Sequence, residues 1–413
     1  MPLLVGPFTQ ILSLDNLPDK GPIANNDLEV ITAGGMIIQN GLISAVGEYN
    51  KLFKEKNSET QVVHFDYPTV AIPGIIDCHT HLCYGGNRVA EYTLRSEGRS
   101  YEDIAAAGGG IQTSVQATRG LLESELYDIS LKRRNYLKSQ GITTVEVKSG
   151  YGLNFDSEIK MLRVIKRLDE DGSINCIPTC LAAHTIPKEF ANHASEYLAF
   201  VTREILPSVL EEQLSKRVDI FIEKGAFAPS QARNYLQNAR RLGFDLTVHA
   251  DQFSRGGSQL AAQMNCVSAD HLEASEDEDI QALAKSDTVA VVLPGASLGL
   301  GMHFAPARKL LDAGCCVAIA SDFNPGSAPM GQLVTQASLI GIYQKLTMAE
   351  LLAGITFRSA KALNLADRGK IKPGLKADVT IFPTDDFRNI FYHQGSLKPF
   401  ASIKNGHFNE LSA

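Results

Sequence analysis

From about residue 68 to residue 362, apolar runs of strand length alternate with amphipathic stretches of helical period. The runs are VAIPGIID, GITTVEVKSG, INCIPTCLAAH, VDIFIEKGAF, FDLTVHADQF, CVSADHLE, TVAVVLPGA and CVAIASDFNP. Between them lie SELYDISLKRRNYLKSQ, SEIKMLRVIKRLDE, SQARNYLQNARRLG and DEDIQALAKS, among others. Near-continuous apolar strands are buried on both faces, and helical crossovers make them parallel. Eight such strands predict an α/β fold, a closed (β/α)8 TIM-like barrel over residues 68–362, in preference to an open doubly wound sheet. The two chain ends have another texture. Residues 1–67 alternate in short, Gly- and Asn-punctuated pieces such as EVITAGGMIIQNGLISAVG, and residues 363–413 return to it with KIKPGLKADVTIF and FASIKNGHF. Neither end can bury a good core alone, so the expectation is one small β-sandwich domain formed from both.

Most of the eight runs close on groups that do chemistry. Run one ends in His79 and His81, run two in Lys148, run three in His184, and run five in His249, Asp251 and Gln252. Run six ends in Asp270 and His271, and run eight in Asp322 and Asn324. In a barrel these ends meet on one face, where active sites are built. A strand has a period of two, so His79 and His81 point to the same side and can hold one metal ion. Imidazole nitrogens with a carboxylate oxygen suit zinc, and also iron, nickel or manganese, with a position left for water. A lone strand-end histidine is more often a satisfied polar residue, and H-x-H recurs by chance. The weight lies in the placement: of ten histidines, those at 79, 81, 184, 249 and 271 all end runs, whereas His64, His193, His303, His393 and His407 do not.

Composition narrows the class. A chain of 413 residues, 44% hydrophobic, can bury a large core, and a net charge of −7 argues against general nucleic-acid or anionic-membrane binding. The start lacks a basic segment ahead of its apolar residues and reads as mature sequence, and no charge-free run of 18 apolar residues occurs. Seven scattered cysteines suit a reducing cytoplasm, and Cys176 and Cys180 read as buried thiols, as do Cys78 and Cys83. GLGMHFA lacks the rest of a dinucleotide fingerprint. AAAGGGI lacks the Lys-Ser/Thr of a phosphate loop and reads as a mobile loop over the site, with Tyr101 near the substrate.

The segments DCHTHLCYGGNR, SYEDIAAAGGGI, VEVKSGYGL, LAAHTIP, VHADQFS, SADHLE, LPGASLGLG, APARKLLDAG and SDFNPGSAP give a resemblance over nearly the whole chain. It is to the amidohydrolase superfamily, and within it to hydrolases that open the ring of 4-imidazolone-5-propanoate to give N-formimidoyl-L-glutamate in histidine degradation. The resemblance implies one metal ion, Zn or Fe, held by His79, His81, His249 and Asp322. It also implies an anionic heterocyclic substrate bound by Arg88, Tyr151, His184, Gln252, Asn324, Gly326 and Ser327. A propionate tail needs a cation, and an arginine offers a bidentate fork. Some relatives carry Glu where this chain has Gln252; an amide is no base, so Gln252 is assigned to hydrogen-bonding the ring. General-base work then falls to Asp322, with His271 polarising the water or the ring carbonyl. Two-metal relatives place a carboxylated lysine or a Glu where this chain has Glu223–Lys224, and one metal is expected here. A homodimer is expected, without nucleic-acid or membrane partners. The competing readings are an aminohydrolase acting on a heterocyclic base, which Arg88 and VEVKSGYGL argue against, and a non-catalytic scaffold, which would be expected to have lost ligands.

Overall fold

A computed structural model describes residues 1–99 and 109–411. The N-terminal strands are β1 (Leu3–Leu12), β2 (Val30–Gln39), β3 (Leu42–Glu48), β4 (Gln61–His64) and β5 (Val70–Pro73). Eight more follow: β6 (Ile75–Asp77), β7 (Ile142–Lys148), β8 (Asn175–Ala183), β9 (Arg217–Ile222), β10 (Asp245–Ala250), β11 (Ser268–His271), β12 (Val289–Val292) and β13 (Val317–Ile319). The chain ends with β14 (Val379–Phe382), β15 (Ala401–Lys404) and β16 (His407–Glu410).

Strands β6 to β13 form one parallel sheet in chain order, with helices between most successive strands. The ends of that sheet meet. Thr80 bridges Phe323 in parallel register, His81 N donates to the Phe323 carbonyl at 2.9 Å, and Asp322 N donates to the His79 carbonyl at 3.0 Å. The buried Asp77 carboxylate accepts from Ser321 N at 2.9 Å on the same seam. The barrel therefore closes where the sequence carries its H-x-H and its last aspartate. The crossover helices follow their apolar periodicity. Phe155–Asp169 buries Ile159, Leu162 and Ile165, and the Asn154 side chain caps it by accepting from Ser157 N.

The remaining strands form a second, mostly antiparallel sheet in the order β16-β15-β14-β5-β1-β2-β3, with β4 beside β1. The chain ends join where β14 pairs with β5, Val379 opposite Pro73 and Phe382 opposite Val70. Phe8, Ile11, Met36, Ala71, Val379 and Ile403 pack in one buried cluster of that sheet. The first apolar run divides, contrary to the single strand expected of VAIPGIID: Val70–Pro73 belongs to the terminal sheet and Ile75–Asp77 to the barrel. Pro73 has no N–H to extend a ladder, and at Gly74 the chain changes sheets, its N–H donating to the Asp378 carbonyl while Ile76 N donates to that of Ile355. All seven cysteines are buried free thiols. Among the described residues no helix is long and apolar enough to cross a membrane.

Candidate metal centre and active site

Four donor atoms converge at the C-terminal mouth of the barrel. His79 Nε2 and His249 Nε2 each lie 3.2 Å from His81 Nε2, and Asp322 Oδ1 lies 3.5 Å from both His79 Nε2 and His81 Nε2. All four side chains are buried. His79 Nδ1 lies 2.7 Å from Asp270 Oδ2, and His249 Nδ1 lies 2.9 Å from Asp219 Oδ2. With Asp270 and Asp219 ionised, each carboxylate can only accept, so each Nδ1 then carries the proton and each Nε2 is left with a bare lone pair. Bare lone pairs this close repel unless a cation lies among them. Tetrahedral zinc with bonds of about 2.0–2.1 Å separates its ligand atoms by roughly 3.3–3.4 Å, so the donor set fits such an ion. His271 and His184 stand close by: donor atoms of His79, His249 and His271 lie within 4.8 Å of one another, as do those of His81, His184 and His249.

The protein favours the neutral imidazole at His79, His81, His184 and His249. Burial, joined by Lys148 and the neighbouring rings, keeps His79 well below the ordinary imidazole range; burial and His184 do the same to His81. Burial brings His249 down to about 4 against the pull of Asp219, and His184 to about 3. It pushes Asp322 up to about 6 against the opposing effect of His271. For His271 burial disfavours the imidazolium, but Glu273, whose Oε2 is 3.5 Å from Nδ1, outweighs it together with Asp322 and Asp270 and raises the pKa. Asp322 and His271 both sit at positive φ, 52° and 89°, where residues with a Cβ are held at a cost the surrounding contacts must offset.

Below the donors lies a buried charge layer. Lys148 Nζ is 2.8 Å from Glu146 Oε2, 2.8 Å from Asp219 Oδ2 and 3.7 Å from Asp270 Oδ2, and Arg217 Nε is 3.7 Å from Glu146 Oε1. Burial pushes the Asp270 carboxyl up to about 7 despite Lys148. At Asp219 burial is outweighed by His249 and Lys148, which hold the carboxyl far below its usual range.

A cavity of about 900 Å³ opens over the donors, with Arg88, Tyr151, His184, Gln252, Asn324 and Ser327 in its wall beside His271 and Asp322. The Arg88 guanidinium is buried and held by Glu91, whose Oε2 lies 2.7 Å from Nε and 2.6 Å from Nη2. Glu91 Oε1 also accepts from Gly110 N at 2.8 Å. Gly326 lies against this arginine: a Cβ there would fall 2.2 Å from Arg88 Nη1. Asn324 folds the loop, its Oδ1 accepting from Gly326 N at 2.7 Å and Ser327 N at 2.8 Å. His184 stacks on His81 at 5.2 Å and 19°, with Nδ1 3.1 Å from the Gly150 carbonyl. Gly150 has a φ of 104°, and a Cβ there would strike the Leu181 carbonyl at 2.8 Å. Tyr151 closes that wall, its ring 5.4 Å from His184. Tyr101 lies outside the described residues.

Several buried groups of the site were given no role by sequence reasoning. Glu158 accepts from Gly150 N, Gly152 N and Leu153 N at 3.1, 2.8 and 2.8 Å and so shapes the turn that carries Tyr151. Glu223 accepts from Phe253 N at 2.9 Å and Ser254 N at 3.1 Å through one oxygen and from Lys224 N at 2.8 Å through the other, so it holds the Gln252 loop; Lys224 is exposed. Neither is arranged as a ligand for a second ion. Asp251 accepts from Gly257 N at 2.9 Å at the start of the next helix rather than facing the donors. For Glu146 and Asp219 of the charge layer the available signal was a lone acid inside an apolar run, in VEVK and VDIFI.

A parallel barrel with histidines and an aspartate gathered at its C-terminal mouth defines the class of metal-dependent barrel hydrolases. A profile described as amidohydrolase family matches residues 123–391. The imidazolonepropionase of Bdellovibrio bacteriovorus is 38% identical over 411 residues, 98% of this chain and 96% of that protein. That of Geobacillus kaustophilus is 39% identical over 386 residues, 92% and 91%. Among solved structures, a triazine hydrolase variant superposes with a TM-score of 0.77 at 16% identity, covering 98% of this chain and 94% of the other. An adenosine deaminase from Xanthomonas campestris with bound zinc gives 0.67 at 16%, covering 99% and 93%. The chain belongs to the amidohydrolase family and, within it, to the imidazolonepropionases.

Proposed function

We propose that the chain hydrolyses the cyclic amide of 4-imidazolone-5-propanoate to N-formimidoyl-L-glutamate, in histidine degradation, with one ion, Zn or Fe, held by His79, His81, His249 and Asp322. The observation that carries the reading is Arg88, a buried guanidinium opening on the same cavity as the converging donors. An aminohydrolase acting on a neutral base has no use for such a cation. The likeness to the adenosine deaminase concerns the fold alone and does not favour ammonia release. When bound, the ion would lower the pKa of a water and polarise the ring carbonyl.

The chain's own groups do the rest. Arg88 takes the propionate through a charge-assisted fork, with Gly326 leaving room for it. Tyr151 and His184 wall the ring, and Gln252, Asn324 and Ser327 offer it hydrogen bonds. Tyr101 is assigned to the substrate as well. Asp322 turns Oδ1 toward the histidines, while Oδ2 has a 3.3 Å contact with the Ser327 hydroxyl. Oδ2 is therefore the atom to take a proton from water and pass it to the leaving ring nitrogen. As the C–N bond breaks, the oxygen of water stays on carbon. His271, whose pKa Glu273 raises against the effect of burial, donates to the developing oxyanion. A homodimer and a cytoplasmic setting belong to the same proposal. The test is an ultraviolet assay of the purified, metal-loaded protein with freshly made imidazolonepropionate: loss of the substrate band with formation of formimidoylglutamate is expected. Ammonia release from heterocyclic amines with no turnover of the imidazolone would overturn it.

A further inference from the structure

The turn that follows β7, residues 150–153, carries Tyr151 into the cavity wall and is gathered on one side chain. Glu158, near the start of the helix Phe155–Asp169, is fully buried. Its Oε1 accepts from Gly152 N and Leu153 N, both at 2.8 Å, and its Oε2 accepts from Gly150 N at 3.1 Å. Arg119 Nε also holds the turn, donating to the Gly152 carbonyl at 2.6 Å. The turn in its place serves two residues of the wall. The Gly150 carbonyl meets His184 Nδ1 at 3.1 Å, and the Tyr151 ring lies 5.4 Å from that of His184. We propose that Glu158 is a positioning residue for substrate binding: by drawing three backbone amides onto one carboxylate it fixes Tyr151 and His184 as the wall for the imidazolone ring, and so sets KM. This rests on the substrate reading above.

The turn is not a shape its residues adopt unaided. Leu153 sits at a φ of 55°, a left-handed backbone that a residue with a Cβ keeps only when its surroundings hold it, and its N–H is one of those bound by Glu158. Gly152 packs so closely on the helix start that a Cβ there would fall 2.6 Å from Glu158 N. The buried amides of the turn need acceptors, and the carboxylate is the acceptor for three of them. In Glu158→Gln one oxygen becomes an NH2 group, which cannot accept. Whichever way that amide faces, at least one backbone N–H meets a donor and must turn away, and Tyr151 or the Gly150 carbonyl moves with it. The four proposed metal ligands follow or end β6, β10 and β13, not β7. The loss therefore falls on binding of the ring and not on the ion or the proton carrier.

The experiment measures steady-state kinetics of the full, metal-loaded chain on imidazolonepropionate, with metal content by elemental analysis and folding by circular dichroism. Glu158→Gln should raise KM about tenfold or more, with kcat within about threefold of the parent and full metal content, the pattern of lost binding that ground and transition states share. Because Glu158 acts through the turn that carries Tyr151, the same substitution should raise KM far less on a Tyr151→Ala background. A parent KM in Glu158→Gln, a loss carried by kcat or by metal content, or an equal rise of KM on the Tyr151→Ala background would each overturn the proposal. Should Glu158→Gln not fold, Glu158→Asp decides, since it keeps the carboxylate and withdraws it by one methylene. A raised KM at parent kcat then supports the proposal, and a parent KM or a second unfolded chain overturns it. A parent chain that turns over no imidazolonepropionate would instead refute the substrate reading, so the two failures are distinguishable.

Discussion

At Arg88 the fork is fixed before any substrate arrives, because Glu91 holds Nε and Nη2 at 2.7 and 2.6 Å. Arg88→Ala should therefore act mainly on KM. Losing a charge-assisted bidentate contact costs about 2–4 kcal/mol, or roughly 30- to 1,000-fold in kcat/KM. Arg88→Lys should recover only part, since an ammonium has no planar fork. Steady-state kinetics decide this, and an unchanged kcat/KM in Arg88→Ala would remove the residue from the pocket. His271 should behave in the opposite way. In the proposed mechanism it donates to developing charge, and losing such a donor costs about 10²–10³ in kcat. His271→Asn is expected to keep its metal, as read by elemental analysis, and to lose turnover at nearly unchanged KM. Asp322→Asn should lose more, because a ligand charge and the proton carrier go together; parent turnover there would mean that another group serves as base.

The loop after β13 joins these residues into one element. Asn324, Gly326 and Ser327 connect Asp322 to Arg88 within a few residues, and Arg95 Nη2 donates to the Gly326 carbonyl at 2.9 Å. Gly326→Ala would place a methyl group 2.2 Å from Arg88 Nη1 and 2.8 Å from its Cζ, so the guanidinium must shift. The expected result is a KM raised about tenfold or more, a loss near 1.4 kcal/mol or above, with full metal content. A normal KM would show that the arginine re-seats without loss. The strand-end residues were legible in the sequence because a parallel barrel gathers the C-terminal ends of its strands, so position along the chain translates directly into position in space. The supporting acids were not. Asp270 serves His79 across 191 positions, and Asp219 serves His249 from the neighbouring strand, pairings that no periodicity encodes. The split at Gly74 was hidden for a related reason: strands of the two sheets are equally apolar on either side of it, and only tertiary pairing assigns them.

Across the whole molecule, protonation couples the fold to the metal centre with a definite sign. In the metal-free chain His249 sits at about 4 and His184 at about 3, below the roughly 6.5 of an unfolded imidazole. There the unfolded chain binds more protons, so these histidines weaken the fold as pH drops from about 6.5 toward 3–4. Asp322 at about 6 and Asp270 and Asp77 at about 7 lie above the roughly 3.9 of an unfolded carboxyl, so they weaken the fold as pH rises from about 4 to 7. The metal-free fold is thus pulled both ways across that window. A metal ion breaks the balance, because it binds the deprotonated form of every ligand. With the proposed ligand set, protons compete first at Asp322 and, on further acidification, at His249. Zinc affinity should be nearly level above about pH 7, fall by about tenfold per pH unit once below about 6, and fall more steeply near 4. The rise in Tm on loading zinc should shrink over the same range. Chelator competition from pH 5 to 8, paired with thermal melts of loaded and metal-free protein, measures both. An affinity that stays level down to pH 5 would take Asp322 out of the ligand set, since no carboxylate with its pKa near 6 could bind the ion without releasing a proton there.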